Sequence, residues 1–268
     1  MAQQEQAVSR WGEAQPYERY VGRWSRAVAG EFVGWLAVPP AATWADIGCG
    51  TGALTQAVLR DANPCLVYAF DKSPGFVAAA AAHPADPRAR FEVADATHLP
   101  LTDAQCDVAV SGLVLNFVGQ PAAMLAEMSR ATRSGGLVAS YVWDYAGGMQ
   151  MMRQFWDAAV AVCGAAEVPD EASRLPLCAP GPLRALWSAA GLSGVVVRSV
   201  TIPTCFVDFN DYWEPFLGNQ GAGPTWLAGR APAEKAAIRD LVRSRLPVRP
   251  DGSIPMTAAA WAVKGTRV

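Results

Sequence analysis

The stretch Asp46-Ile47-Gly48-Cys49-Gly50-Thr51-Gly52 decides the fold. An apolar run at 43–47 precedes it and a helical pattern at 54–59 follows it, so the chain turns sharply from strand to helix where three of five residues lack a Cβ. Backbone of this kind can approach a ligand closely. The helix N-terminus that follows adds free N–H groups and a positive dipole, which favour a carboxylate or phosphate. Taken alone, the loop predicts only nucleotide-type binding.

Outward from the loop, apolar runs at 66–70, 108–113 and 136–143 and a short strand pattern at 90–93 alternate with helical patterns at 76–82 and 121–132. That rhythm predicts parallel strands joined by crossover helices, with both sheet faces covered. Upstream, Tyr17, Tyr20, Val21, Trp24, Val28, Phe32 and Leu36 recur at three- and four-residue steps, which predicts one or two helices ended by Pro39-Pro40. Downstream of Asp144 come a helix near 149–162, a Pro-rich loop, a helix at 182–190 capped by Gly191, and strands at 194–202 and 258–264. The segment between those two strands, about 55 residues, is too long for a connection and predicts a lid. The expected architecture is a doubly wound, mostly parallel α/β core (41–145, 182–204 and 257–268), an N-terminal helical cap (1–40), and helical lid or substrate insertions at 146–181 and 205–256.

Composition sets the outer bounds. With 51% hydrophobic and 17% charged residues among 268, the chain can bury a sheet and does not resemble a disordered segment. A net charge of -2 gives no general attraction for a phosphate backbone, and Arg10, Arg19, Arg23 and Arg26 are interleaved with Glu5, Glu13, Glu18 and Glu31, so no nucleic-acid partner is expected. The six cysteines are scattered, without a Cys-x-x-Cys pair or a histidine at ligand spacing, which argues against zinc and a disulfide framework. The start is polar and no 18-residue apolar run occurs, so a cytoplasmic protein without a membrane partner is expected. The oligomeric state is left open.

Three carboxylates sharpen the reading of the loop. Asp46 lies two residues before the first glycine, where it can accept from a ligand ammonium group. Asp71 ends the second strand, 23 residues after Gly48, where an acidic side chain can accept both hydroxyls of a ribose. Asp95 ends the third strand, where a carboxylate can accept from an adenine amino group. Three acids on three successive strand ends predict one continuous cleft.

Ala45 to Gly52, Asp71, Ala94-Asp95-Ala96, Leu99-Pro100 and Cys106-Asp107-Val108 resemble the successive motifs of class I S-adenosylmethionine-dependent methyltransferases, in particular the small-molecule type 11 branch, over residues 42–143. The resemblance implies a seven-stranded sheet with an antiparallel last strand, completed by 194–202 and 258–264, and S-adenosyl-L-methionine as cofactor. It implies that Asp46 with Gly48, Cys49, Gly50, Thr51 and Gly52 holds the methionine portion. Asp71, followed by Lys72 and Ser73, would take the ribose, and Asp95 with Ala96 the adenine. Ser111 and Leu113, at the exit of the fourth strand, complete the implied set. The segment 111–117 departs from the pattern, because it lacks the histidine that many relatives carry nearby.

Two other readings compete. Gly48-x-Gly50-x-x-Ala53 also satisfies the looser dinucleotide fingerprint, and Asp71 fits it, so an NAD-dependent oxidoreductase is one alternative. Asp46 and the Asp95-Ala96 corner are not required by a dinucleotide site. A cofactor-binding protein without catalysis is the other alternative, because no obvious base is present. In methyl transfer the protein mainly holds a small-molecule acceptor in line with the methyl carbon and excludes water. Asp144 and Tyr145 follow the fifth strand at the carboxyl edge and stand as catalytic candidates, whereas His83 and His98 read as surface and adenine-side residues. Tyr17, Tyr20, Trp24, Asn116, Trp143 and Trp213 stand as acceptor contacts, and Arg23 as a partner for the methionine carboxylate. No metal is expected.

Overall fold

The computed structural model describes residues 22–83, 86–218 and 221–268. Helix α1 (Arg23–Leu36) leads into β1 (Thr43–Ile47), α2 (Ala53–Asp61), β2 (Leu66–Asp71), α3 (Pro74–Ala81), β3 (Ala89–Val93), β4 (Cys106–Gly112), α4 (Pro121–Ala131) and β5 (Thr132–Trp143). Then come α5 (Gln150–Cys163), α6 (Glu171–Arg174), α7 (Pro180–Ala189), β6 (Ser193–Phe206), α8 (Phe209–Trp213), α9 (Ala222–Ala228), α10 (Pro232–Arg245) and β7 (Ile254–Thr266). Proline at the first turn starts α3, α4, α7 and α10, where its fixed φ suits a helix and its missing N–H costs nothing.

The sheet has seven strands in the order β3-β2-β1-β4-β5-β7-β6. Strands β1 to β5 pair in parallel, with Asp46 opposite Ala69 and Val110, and Asp71 opposite Val93. The expected antiparallel strand is β7: Arg267 N donates to Gly136 O at 2.9 Å and Gly135 N donates to Arg267 O at 2.8 Å, so the end of β7 meets the start of β5. The start of β6 in turn lies beside the end of β7, where Ser193 Oγ donates to Thr266 O at 3.3 Å.

Both late strands run longer than the sequence suggests. Proline reads as a strand end, yet Pro203 lies within β6 and Pro255 at the second residue of β7. An edge strand and a strand start are the two places where a missing ladder donor is tolerated. β5 likewise begins at Thr132, directly after α4, with a register shift between Cys106 and Val108 that takes up the bend at Gly135 and Gly136.

The chain divides into two compact units. The sheet unit comprises Ser25–Val142, Leu177–Val200 and Trp261–Val268. Its core includes Val28, Phe32 and Leu36 of α1, Trp44 and Ile47 of β1, Val58 of α2, and Tyr141 of β5, whose ring lies 4.6 Å from that of Phe32. Trp187 of α7 anchors there through Nε1, which donates to Val138 O at 3.0 Å. The helical unit comprises Trp143–Pro176, Thr201–Ala260 and, from the N-terminal segment, residues 22–24. Its core is aromatic: Phe155 stacks on Phe216 at 4.4 Å and meets Trp156 edge-on at 4.9 Å, while Tyr212 Oη donates to Met151 O at 2.8 Å. Each such ring contributes roughly 2–3 kcal/mol by burial. No helix among the described residues is long and apolar enough to cross a membrane.

Candidate cofactor site

The carboxyl ends of β1, β2 and β3 build the site, all within the sheet unit. Ile47 ends β1, and the chain reverses because Gly48 N and Cys49 N both donate to Phe70 O, at 2.7 and 2.8 Å. Gly48 has φ +77°, and a Cβ there would lie 2.6 Å from Val114 Cγ2, so any other residue would be strained and would collide. Gly52, at φ +90°, turns the chain into α2. A Cβ on Gly50 would meet nothing within 4 Å, which leaves the loop backbone open on that side.

Asp46 is fully buried. Its Oδ2 accepts from Thr55 Oγ1 at 2.6 Å, but Oδ1, equally buried, has no hydrogen-bond partner. Burial pushes its carboxyl up to about 7; the Thr55 hydroxyl partly opposes this and the neighbouring charge of Asp71 adds to it. The motif spacing does not disclose this Thr55 contact, since a threonine in a first helical turn ordinarily reads as a local backbone partner. Asp71 joins the glycine loop to the exit of β2: Oδ2 accepts from Gly50 N at 3.0 Å and Oδ1 from Ser73 N at 2.9 Å. Ser73 Oγ is engaged in turn as the cap of α3, accepting from Phe76 N at 3.4 Å.

Asp95 is exposed beyond β3. Its Oδ1 accepts from Thr97 Oγ1 at 2.6 Å and Thr97 N at 2.8 Å, which hold its carboxyl below the ordinary range, with smaller help from His98 and Lys72. Ala96 is half-buried and Lys72 exposed. Ser111, fully buried in β4, has an unpartnered Oγ. Leu113 holds a left-handed φ of +63° while its N–H donates to Tyr141 O at 2.8 Å, and backbone strain of this kind concentrates at functional sites. Cys49 is buried, and burial together with Asp46 and Asp71 pushes its thiol up, so it stays protonated and packs. Thr51 is buried beside it.

The remaining candidates have the following surroundings. Asp144 Oδ1 accepts from Ala146 N at 3.1 Å and Gly147 N at 3.3 Å, shaping its own turn, and Tyr145 is buried. Trp24, Trp143 and Trp213 belong to the helical unit, where Trp24 meets Phe206 edge-on at 5.6 Å and Trp213 stacks on Phe209 at 6.1 Å. The Nε1 atoms of Trp24 and Trp143 are buried without a partner. Asn116 sits in the sheet unit, in a short turn after β4, with its Nδ2 also unpartnered. Arg23 donates to Asp211. Tyr17 and Tyr20 lie outside the described residues. Among the described residues no group of three His, Cys, Asp or Glu could hold a metal ion.

Residues 45–140 match the family model for a methyltransferase domain. That stretch is little more than a third of the chain. The domain is similar to malonyl-[acyl-carrier protein] O-methyltransferase of Hahella chejuensis, at 36% identity over 34% of this chain and 33% of that one. The corresponding protein of Dechloromonas aromatica is 32% identical over 61% of this chain and 56% of its own length. The matched part thus spans from a third to little more than half of these relatives. In fold, the chain resembles phosphoethanolamine N-methyltransferase 2 of Haemonchus contortus, solved with S-adenosyl-L-methionine (TM-score 0.55, 15% identity, 94% of this chain and 56% of that one). The site fits S-adenosyl-L-methionine, with a buried acceptor atom without a donor, an open glycine backbone, and acids at successive strand ends.

Proposed function

We propose that this protein transfers a methyl group from S-adenosyl-L-methionine to a small-molecule acceptor. The observation that carries the reading is Asp46 Oδ1, a buried carboxylate oxygen without a donor, at the mouth of a glycine loop that Asp71 ties down. Such an atom is costly unless a ligand supplies the missing hydrogen bond. The bound cofactor supplies a methyl group already activated on a sulfonium.

The chain's own residues then bind, orient and shield. Asp46 Oδ1 accepts from the amino group of the methionine portion, with Gly48, Cys49, Gly50, Thr51 and Gly52 as the backbone cradle. Asp71 keeps acceptor capacity for the ribose hydroxyls, because a carboxylate offers about four lone-pair sites and two are taken by Gly50 and Ser73. Asp95 and Ala96 take the adenine edge, flanked by Lys72 and Ser73, with Ser111 and Leu113 on the β4 side. No described residue is assigned as a base, so the acceptor is one that needs only orientation, or one that is already ionised at neutral pH.

The relatives named for malonyl-[acyl-carrier protein] support an acceptor carrying its own nucleophilic oxygen. The net charge of -2 supports a partner other than nucleic acid, and six free cysteines support a reducing, cytoplasmic setting. Titration calorimetry with S-adenosylhomocysteine and with NADH tests the cofactor: micromolar binding of the first and none of the second is expected, and the reverse would end the reading. A second reading, binding without catalysis, is favoured by the use of Asp144 to shape its own turn. Methyl transfer to any member of a metabolite panel, lost in Asp46→Ala, removes it.

A further inference from the structure

Asp95 and Ala96 lie two and three residues beyond the end of β3, so the strand does not by itself fix their place. The near side of their loop is tied at Ala94, whose N–H donates to Asp71 O at 3.1 Å. The turn then closes on itself, because His98 N donates to Asp95 O at 3.0 Å and Thr97 holds the Asp95 carboxylate. A closed turn sets its own shape. Where that shape sits depends on what holds its far side.

Two side chains of α4 do so, within the same sheet unit. Leu99 has both of its backbone polar groups taken: its N–H donates to Glu127 Oε2 at 2.9 Å, and its carbonyl accepts from Arg130 Nη2 at 3.3 Å. Arg130 Nη1 reaches further along the loop, donating to Leu101 O at 2.8 Å and to Asp103 Oδ1 at 2.9 Å. The two side chains also grip each other, Arg130 donating to Glu127 through Nε at 2.7 Å and Nη2 at 2.8 Å. That bidentate grip is rigid, and it holds the Glu127 carboxyl below its ordinary range, with the Leu99 N–H and the charge of His98 adding to it. Their platform is fixed as well, since α4 buries Met124, Leu125 and Met128, and Leu99 and Leu101 are themselves buried. An exposed ion pair contributes little by itself. This one is spent on the backbone of the loop that carries Asp95.

We propose that Glu127 and Arg130 are positioning residues for the adenine of the cofactor, clamping Leu99 and Leu101 so that Asp95 meets the purine 6-position, a role that rests on the reading of Asp95 as the adenine contact. A carboxylate there accepts from a 6-amino group and repels a 6-oxo oxygen. Hydrogen-bond strength falls steeply with misalignment, so a loosened loop loses selectivity between the two purines.

The test is calorimetry with S-adenosylhomocysteine and with S-inosylhomocysteine, its 6-oxo analogue, on the full chain. The unmodified chain should prefer the adenine compound by about ten-fold or more. That ratio should fall at least about three-fold in Glu127→Gln, which loses the charge, and in Arg130→Lys, which keeps the charge and loses the fork. Asp95→Ala should abolish the preference, and adding Arg130→Lys to it should lower the ratio no further, the signature of two residues acting through one contact. A merely structural role predicts something else: both compounds weaken equally, and the effects add in the Asp95→Ala background. Either result overturns the proposal. Coupling is reciprocal, so in the unmodified chain S-adenosylhomocysteine should slow amide exchange at the Leu99 N–H more than S-inosylhomocysteine does at equal saturation. Equal slowing also overturns the clamp, whether or not the variants fold. If S-adenosylhomocysteine does not bind the unmodified chain, the cofactor reading itself falls; if it binds and the ratios stay unchanged in the variants, only the clamp does.

Discussion

The sheet unit and the helical unit each bury one carboxyl group whose pKa burial pushes up to about 7, and they treat it differently. In the helical unit Glu171 accepts from Trp156 Nε1 inside an aromatic cluster. In the sheet unit Asp46 takes one bond from Thr55 and keeps a second buried oxygen without a donor. The contrast teaches that a raised pKa marks burial, while an unpaired buried oxygen beside an open glycine loop leaves a hydrogen bond for a ligand to supply. Glu171 reads as architecture and Asp46 as a binding group.

The sharpest way to break this comparison is to remove each acid in turn. Asp46→Ala is expected to weaken S-adenosylhomocysteine by roughly 10- to 100-fold, the scale of a lost hydrogen bond to a charged group. Glu171→Gln should leave that affinity unchanged. Calorimetry on both variants decides it, and equal losses would dissolve the distinction. Next in size is Gly48→Ala, where positive φ and the contact with Val114 together should cost on the order of 1–3 kcal/mol in thermal unfolding. Val114→Ala added to it should recover part of the loss, because it removes the collision and leaves the strain.

Asp95→Ala is expected to weaken the cofactor by about ten-fold or less, since the carboxylate is exposed and its ligand bond is partly replaced by water. An unchanged affinity would favour the dinucleotide alternative. The smallest effect is in pH. Both buried acids have folded values above their ordinary 3.8 and 4.5, so the folded state holds their protons longer than the unfolded chain does. The stability they contribute is therefore fully present below about pH 4 and is lost as pH rises to about 7. Glu171→Gln should flatten that slope in a melting series from pH 5 to 8. Cofactor binding should flatten the part due to Asp46, because a bound ammonium group favours the carboxylate and releases its proton. Calorimetry near pH 6 in two buffers of different ionisation enthalpy reads that proton directly, and its absence would separate Asp46 from the ligand.

The strand–loop–helix unit at 43–61 and the parallel run through β5 were legible in the chain itself because they depend on local patterning. An apolar run of five residues, glycines that allow positive φ, and a helical repeat act within about twenty positions of one another. Asp71 was legible for the same reason, as a strand end after an apolar run, whereas Asp95, expected at the end of the third strand, lies two residues beyond β3. Thr55, Val114 and the carbonyl of Phe70 were not, because what they do depends on which atoms the fold brings within contact distance. The full lengths of β6 and β7 were missed because Pro203 and Pro255 read as breakers until an edge and a strand start excuse them.

The sequence by itself determined the fold class and the position of the glycine loop between strand and helix, since each follows from the period of hydrophobic residues or from the stereochemistry of glycine. Only the tertiary structure decided that β7 lies between β5 and β6 and that Asp46 keeps an oxygen unpaired. Strand order and hydrogen-bond satisfaction are set by long-range packing, and one residue's neighbours in the chain do not record which distant donor is missing.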